Sequence, residues 1–424
     1  MIMKKMIAVT LSILMLSAIT GCVRGSVIDN DYILNTSEII MEETTETPTT
    51  EMATPQMPTT EVPTTEVPTT EAYVPTIEDE VDAILNEMSL HEKVCMMFVV
   101  TPGSIVDGQT ITSVDDTYKN VFAEYPVGGM IFFAGNLVDR EQTKSLLGTL
   151  QTYSIEISGL PLFACVDEEG GRVARIGNNP NFGVTKIQAM SNVTTAVDAY
   201  NAGWIIGDYL SELGFNFDFA PDADVITNPA NTVIGDRSFG TDGEIVSSLA
   251  VEYAKGLQEN KVLSTFKHYP GHGATEGDTH EGYAYTSKSL LELMEAELKP
   301  FIAAKENNVD AIMVAHISVP GILGDNTPCT MSKYMVTDVL RNEIGYEGLI
   351  ITDALNMGAI VNEYSADEAA VKAILAGNDL LLMPDDFYAA YNGVINAVNN
   401  GVITEDRLNE SVRRIIKSKI LLKM

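Results

Sequence analysis

Cysteine is scarce in this chain, and its spacing suggests no pairing. Four cysteines occur in 424 residues, Cys22, Cys95, Cys165 and Cys329, and none belongs to a C-x-x-C pair. That argues against a cysteine-rich zinc site and gives no sign of a disulfide framework. Cys95 and Cys165 stand in apolar runs and read as small core residues. Positive charge is scarce too: 26 Lys and Arg stand against 59 Asp and Glu, for a net charge of −33. Such a chain repels a phosphate backbone, which argues against nucleic acid as a partner. No Lys or Arg occurs from Gly25 to Glu92, while Glu recurs there. Part of the acidity therefore belongs to a tail, as a solvated charged segment, and says little about the surface of a folded domain. No G-x-G-x-x-G follows the first expected strand, and no H-E-x-x-H occurs. The first absence weakens a dinucleotide-binding fold and the second removes the strongest zinc signal.

What is present starts with an address. Lys4 and Lys5 precede an apolar run from Met6 to about Ile19, the charged and apolar regions of a secretory signal. The run is too short for a convincing permanent membrane span. It ends in Ile19-Thr20-Gly21-Cys22, which resembles the bacterial lipobox. That resemblance implies lipidation and cleavage at Cys22, so residues 1–22 are expected to be a lipoprotein signal and the mature protein to be anchored to the outer face of the bacterial membrane. Residues 23–76 read as a disordered tether. Thr, Pro and Glu dominate it, and Pro-Thr-Thr-Glu-Val occurs at 58–62 and 63–67 with a looser copy at 68–72. Such a segment buries too little apolar surface to fold. The Thr-, Pro- and Glu-rich part, from about Ser37 to Pro75, has roughly 40 residues and would span on the order of 120 Å when extended.

From residue 77 to the end, strand-like and helix-like segments alternate. Apolar runs of strand length fall at 129–133, 160–166, 215–220, 263–266, 311–315, 348–352 and 379–383. Most are continuous rather than alternating, as in parallel strands covered on both faces. Amphipathic stretches at 194–213, 244–259 and 288–307 lie between them and read as helices. The pattern predicts an α/β fold, a (β/α)8 TIM-type barrel forming a single catalytic domain over 77–424, with an open doubly wound sheet as the alternative. Asp167 follows one run, Lys267 and His268 another, His316 a third and Asp353 a fourth. In a barrel those strand ends converge on one face, where active sites lie.

Three of the five histidines fall in one glycine-rich stretch, Lys267-His268-Tyr269-Pro270-Gly271-His272-Gly273-Ala274-Thr275-Glu276-Gly277-Asp278-Thr279-His280. The glycines predict a loop. Residue types alone leave metal binding open there. The spacing of Asp278 and His280 suggests a second use, because a carboxylate beside an imidazole fixes its tautomer and raises its basicity. Asp353, closing a buried strand, suits a covalent nucleophile if nearby cations and N–H groups keep it ionised.

The ordered motifs resemble glycoside hydrolase family 3, and within it the single-domain β-N-acetylglucosaminidases of the NagZ type. The resemblance spans about 79–423. It rests on residues 88–94, 127–133, Asp167-Glu168-Glu169-Gly170-Gly171-Arg172-Val173-Ala174-Arg175, Gly235-Asp236-Arg237-Ser238-Phe239-Gly240, the loop 267–280 and residues 407–415. It implies Asp353 as nucleophile, His280 as general acid/base with Asp278 as its partner, and Asp167, Arg175, Arg237, Lys267 and His268 as holders of the terminal sugar. Glu168 departs from the family's more usual uncharged residue, and Tyr269 stands for a more usual Phe. The implied activity is retaining hydrolysis of terminal β-linked N-acetylglucosamine, with a carbohydrate partner such as a peptidoglycan fragment and no cofactor or metal.

Three alternatives remain open. A His–Asp pair repels an incoming anion less than a carboxylate would, so phosphate could replace water and make the enzyme a phosphorylase. A β-glucosidase or β-xylosidase of the family would commonly draw its acid/base from a second domain, for which a chain ending at Met424 leaves no room. A non-catalytic glycan-binding protein fits poorly with Asp353, Asp278 and His280 together.

Overall fold

The computed structural model describes residues 75–280 and 282–423. Cys22, the signal segment and the tether up to residue 74 lie outside the described residues. Thr76 caps the first helix, Ile77–Glu87, through a capping box with Asp79, so two orphan backbone donors are satisfied where the helix begins.

Eight short strands, all paired in parallel, form the centre. They are β1 (Phe98–Val100), β2 (Gly129–Ile131), β3 (Phe163–Val166), β4 (Phe217–Asp218), β5 (Thr265–Tyr269), β6 (Ala311–Val314), β7 (Leu349–Thr352) and β8 (Leu381–Leu382). The register runs Val99↔Gly129, Met130↔Ala164, Cys165↔Phe217, Phe266↔Ile312 and Ile312↔Ile350. Single parallel bridges join β4 to β5 at Phe217↔Leu263 and Asp222↔Lys267, and β7 to β8 at Ile351↔Leu380. Phe98↔Leu381 joins the last strand to the first. The ring is therefore closed, which excludes the open doubly wound sheet and leaves the (β/α)8 barrel.

Seven of these strands fall within or across the apolar runs read from the sequence. β1 is the addition. One residue separates it from the helix Leu90–Met96, so its apolar residues merge with those of the helix. A second correction concerns β5, which covers Thr265–Tyr269 and so contains Lys267 and His268 rather than ending before them. The expected helix at 288–307 is two helices, Leu290–Glu295 and Lys299–Glu306, the second opening with Pro300 in its first turn. That position suits proline because its missing N–H would be unpaired there anyway.

Helices such as Arg140–Ser158, Ala196–Leu213 and Gly243–Glu259 cover the outside. Phe163, Phe217 and Phe219 pack edge to face inside. Cys95, Cys165 and Cys329 are buried free thiols. The helix Glu405–Leu421 closes the fold, and its Lys419 is buried with Nζ donating to the carbonyls of Gly128 (2.6 Å) and Pro161 (2.5 Å). Burial pushes that amine down to about 7. Among the described residues, no helix is long and apolar enough to cross a membrane.

Candidate active site

A cavity of about 640 Å³ lies where the strand ends meet, and it brings together Asp167, Arg175, Arg237, Lys267, His268, Asp278, His280 and Asp353. These are all of the sugar-binding and catalytic candidates read from the sequence. Asp167 directly follows β3, and Asp353 directly follows β7. Lys267 and His268, neighbours in β5, both reach the cavity, because the pairing of β5 with β6 slips between Phe266 and Tyr269 and breaks the alternation of faces.

One connected charge network forms the floor. Lys267 Nζ donates to Asp167 Oδ1 at 2.9 Å and pairs with Glu169 Oε1 at 2.7 Å. Arg237 grips Glu169 with two bonds, Nε to Oε2 at 2.8 Å and Nη2 to Oε1 at 2.7 Å. Such a fork is geometrically specific as well as strong. Arg175 Nη2 reaches Asp167 Oδ2 at 3.4 Å. The side chains of Glu169 and Lys267 are 2% and 3% exposed, while Asp167 and Arg175 retain 18% and 30%. A ligand would therefore meet Asp167 and Arg175 first, with the buried pair holding them in place. Burial alone would raise Glu169, but Arg237 and Lys267 outweigh it and hold that carboxyl well below the usual range.

His268 is ordered from two sides. Its Nδ1 lies 2.7 Å from Asp224 Oδ2 and its Nε2 lies 3.2 Å from Arg237 Nη2. The carboxylate accepts and the guanidinium donates, so the proton sits on Nδ1 and Nε2 is bare. Burial and the Arg237 charge push the ring down to about 4, which agrees with a neutral imidazole. Asp222, Asp224 and His268 bring ligand atoms within 4.8 Å of one another, a spacing a metal ion could use. Arg237 already lies against two of them, with Nε 3.3 Å from Asp222 Oδ2, and supplies positive charge at that point.

Asp353 is pushed up by burial, but the neighbouring His316 and His268, the Ala354 N–H at 2.8 Å and Lys267 together bring it below the usual Asp value. Burial also holds both of those rings below their ordinary values. Near neutral pH they therefore act mainly as dipoles, and Lys267 and the N–H group carry the effect. His316 does not line the cavity; its Nε2 lies 2.9 Å from the Ala354 carbonyl and fixes the backbone just after Asp353.

Asp278 and His280 stand on the loop after β5. His280 Nδ1 donates to Asp278 Oδ1 at 2.7 Å, and the His280 backbone N–H donates to the same oxygen at 2.9 Å. The other ring nitrogen, Nε2, is left for a substrate. Burial would raise Asp278, yet these two bonds hold it below its ordinary value.

Glu168 does not act on the cleft. It is buried, and its carboxylate accepts the N–H groups of Arg175 (2.6 Å), Ile176 (2.9 Å) and Gly177 (2.7 Å) and the Tyr209 hydroxyl (2.8 Å). It thus supports the turn that presents Arg175. Gly170 and Gly171 do turn sharply, at φ +90° and +55°, but what approaches them is protein: a Cβ would lie 3.0 Å from the Gln188 carbonyl oxygen and 2.8 Å from Ala189 Cα. The sequence reading also passed over Glu169, Asp222 and Asp224. Glu169 stood inside a motif already singled out, and the cluster Pro221-Asp222-Ala223-Asp224 after an apolar run was the available signal for the other two.

The chain matches the family described as the glycosyl hydrolase family 3 N terminal domain over residues 89–418. It is 33% identical over 335 residues to beta-hexosaminidase A of Pseudoalteromonas piscicida, covering 73% of this chain and 56% of that protein. It is 30% identical over 341 residues to beta-hexosaminidase LpqI of Mycobacterium tuberculosis, covering 78% of this chain and 83% of that one. Its structure resembles that of a family 3 beta-N-acetylglucosaminidase from a Paenibacillus species, with a TM-score of 0.74 and 35% identity over 80% of this chain and 64% of that chain. The chain thus spans less than two thirds of the Pseudoalteromonas and Paenibacillus proteins. Strand-end chemistry, closed parallel barrel and sequence similarity agree, and the chain belongs to glycosyl hydrolase family 3.

Proposed function

We propose that the protein is a retaining exo-β-N-acetylglucosaminidase. One observation carries the reading: a single cavity holds an ionised carboxylate at Asp353, a His280–Asp278 pair and a set of fixed charges suited to sugar hydroxyls. The relatives named as beta-hexosaminidases and as a beta-N-acetylglucosaminidase support the choice of sugar. Asp167 and Arg175 meet the hydroxyls of the terminal residue, with Arg237, Lys267 and His268 beneath. An Asp353 oxygen attacks the anomeric carbon as the glycosidic bond breaks. His280 delivers the proton on Nε2 to the departing oxygen, while Asp278 stabilises the imidazolium through Nδ1. Water then gives its proton back to Nε2 and attacks the anomeric carbon, which frees Asp353 and leaves the product with retained configuration. This departs from the usual pair of carboxyls because a His–Asp pair supplies the acid.

The natural substrate is a glycan or muropeptide ending in N-acetylglucosamine. The protein is secreted and held to the outer face of the membrane by a lipid on Cys22, with residues 23–76 as its tether and 77–424 as its catalytic domain. The test of function is nitrophenol release from 4-nitrophenyl N-acetyl-β-glucosaminide, with the glucoside alongside, in chelator, with and without phosphate. Preferential cleavage of the acetylated sugar to free N-acetylglucosamine is expected. Sugar phosphate as the main product would make the protein a phosphorylase. No cleavage by a folded chain would overturn the reading. Incorporation of labelled fatty acid, lost in Cys22→Ala, is the expected result for the anchor.

A further inference from the structure

The loop carrying Asp278 and His280 has a fixed point between them. Thr279 is 1% exposed, whereas both neighbours reach solvent. Its carbonyl accepts the N–H of Ala359 at 3.2 Å, in the short helix Gly358–Val361 that follows Asp353. Its hydroxyl lies 3.4 Å from Nε2 of the buried His272.

The state of that imidazole follows from its other partners. Nδ1 of His272 lies 2.9 Å from the Thr275 hydroxyl oxygen. That hydroxyl gives its one proton to the His272 carbonyl at 2.8 Å, so Nδ1 must be the donor in the first contact. Burial keeps the ring below its ordinary pKa, so it is neutral near pH 7 and Nε2 is a bare acceptor. The Thr279 hydroxyl therefore donates to it. At the other end, the His272 backbone N–H donates to Asp224 Oδ1, and Asp224 Oδ2 holds His268 at 2.7 Å. Asn231 Nδ2 donates to the His272 carbonyl at 2.7 Å and steadies the same turn. A continuous line of bonds thus runs from a cavity-floor residue, through Asp224 and His272, to the residue between Asp278 and His280.

We propose that His272 and Thr279 are positioning residues for proton transfer: together they hold the His280–Asp278 pair at a fixed place relative to the floor that receives the terminal sugar. Neither touches the substrate. The inference rests on the reading of His280 as acid/base. Side-chain aim matters because a proton donor displaced by about 1 Å can lose on the order of 10²-fold in rate. The effect should grow as the leaving group becomes poorer, since only a poor leaving group needs the acid.

The experiment compares kcat/KM for N,N′-diacetylchitobiose, a poor leaving group, with that for the 2,4-dinitrophenyl glycoside, which leaves without help. Thr279→Val removes the hydroxyl at nearly constant volume, Thr279→Ala removes it without crowding, and Thr279→Ser restores it. His280→Ala is the control, and thermal unfolding monitors each fold. In both hydroxyl-free variants, kcat/KM is expected to fall about 10- to 100-fold on chitobiose and less than about threefold on the dinitrophenyl glycoside. Thr279→Ser should recover most of the chitobiose rate. If His280→Ala itself lacks this leaving-group dependence, the acid/base reading fails. If His280→Ala shows it while the folded Thr279 variants match the native enzyme, or lose equally on both substrates, the positioning role is overturned.

Discussion

Glu169 shows how a carboxylate can govern the proposed sugar site without presenting itself to a ligand. It sits between Lys267 and Arg237, accepting a fork from one and an ammonium from the other. Removing it leaves the buried Lys267 ion-paired with Asp167 alone and Arg237 with Asp222 alone. Breaking a buried pair in this way costs about 3–5 kcal/mol, and here the cost should fall on the positions of Lys267 and Arg237. Glu169→Ala is therefore expected to lower kcat/KM by at least about 10²-fold through that loss of positioning, with a weaker sugar-binding signal in calorimetry; unchanged affinity would contradict it. At this scale the sequence was informative where a polar residue followed an apolar run. Asp167 and Asp353 were legible because nothing apolar explains them there. Glu169, Asp222 and Asp224 were not, because their importance lies in what they pair with. Those partners stand 68 residues away for Glu169–Arg237 and 44 for Asp224–His268.

Among the elements, the turn after β3 works as a cradle. Glu168 collects three successive backbone N–H groups and a tyrosine hydroxyl, and that places Arg175 beside Asp167. Burial raises the Glu168 pKa despite those four donors. Glu168→Ala strands the donors and should cost roughly 3 kcal/mol of stability. It should also raise KM more than it lowers kcat, because it misplaces Arg175, proposed to hold the sugar, rather than Asp353, the proposed nucleophile. A denaturant titration with steady-state kinetics on the folded variant checks both, and a fall in kcat alone would contradict the assignment. The elements themselves were largely legible, since parallel strands covered on both faces read as unbroken apolar runs. β1 was hidden by its helix, and β5 ran further than its apolar residues because Lys267 and His268 lie within it. The departure at Glu168 was visible in the sequence, but its direction was not: whether a charge faces a cleft or a backbone turn depends on the turn.

For the whole molecule, barrel closure depends on the end of the chain. Asp379, buried just before β8, accepts Arg341 at 2.7 Å, Arg414 at 3.1 Å, the Ser411 hydroxyl at 2.6 Å and the Ile350 N–H at 3.0 Å. It ties the last strand to β7 and to the closing helix. Burial would raise its pKa, but Arg341, Arg414 and Arg407 bring it below its ordinary value. Because the folded pKa is depressed, the unfolded chain binds more protons between the two values, and stability rises with pH across that interval. The contribution is complete above the unfolded value of about 3.9 and fades as pH falls through the folded one. Asp379→Asn is expected to cost about 3–5 kcal/mol at neutral pH and to flatten the acid limb of stability; a variant with native stability at pH 7 would contradict this. The closed barrel itself was foreseeable from strand–helix alternation, whereas the locking of its seam by one aspartate was not, since that depends on three arginines from two different helices and on the register of β7 with β8.

Retention by the proposed mechanism requires that Asp353 become covalently attached to the sugar. The most direct measurement is peptide mapping by mass spectrometry after reaction with a 5-fluoro N-acetylglucosaminyl fluoride, which slows both steps and lets the intermediate accumulate. One fluoro-sugar adduct is expected, on the peptide containing Asp353, absent in Asp353→Asn and longer-lived in Asp278→Asn, where the weakened base slows attack by water. An adduct on another residue, or steady turnover of the fluoride with no adduct at any time, would contradict it.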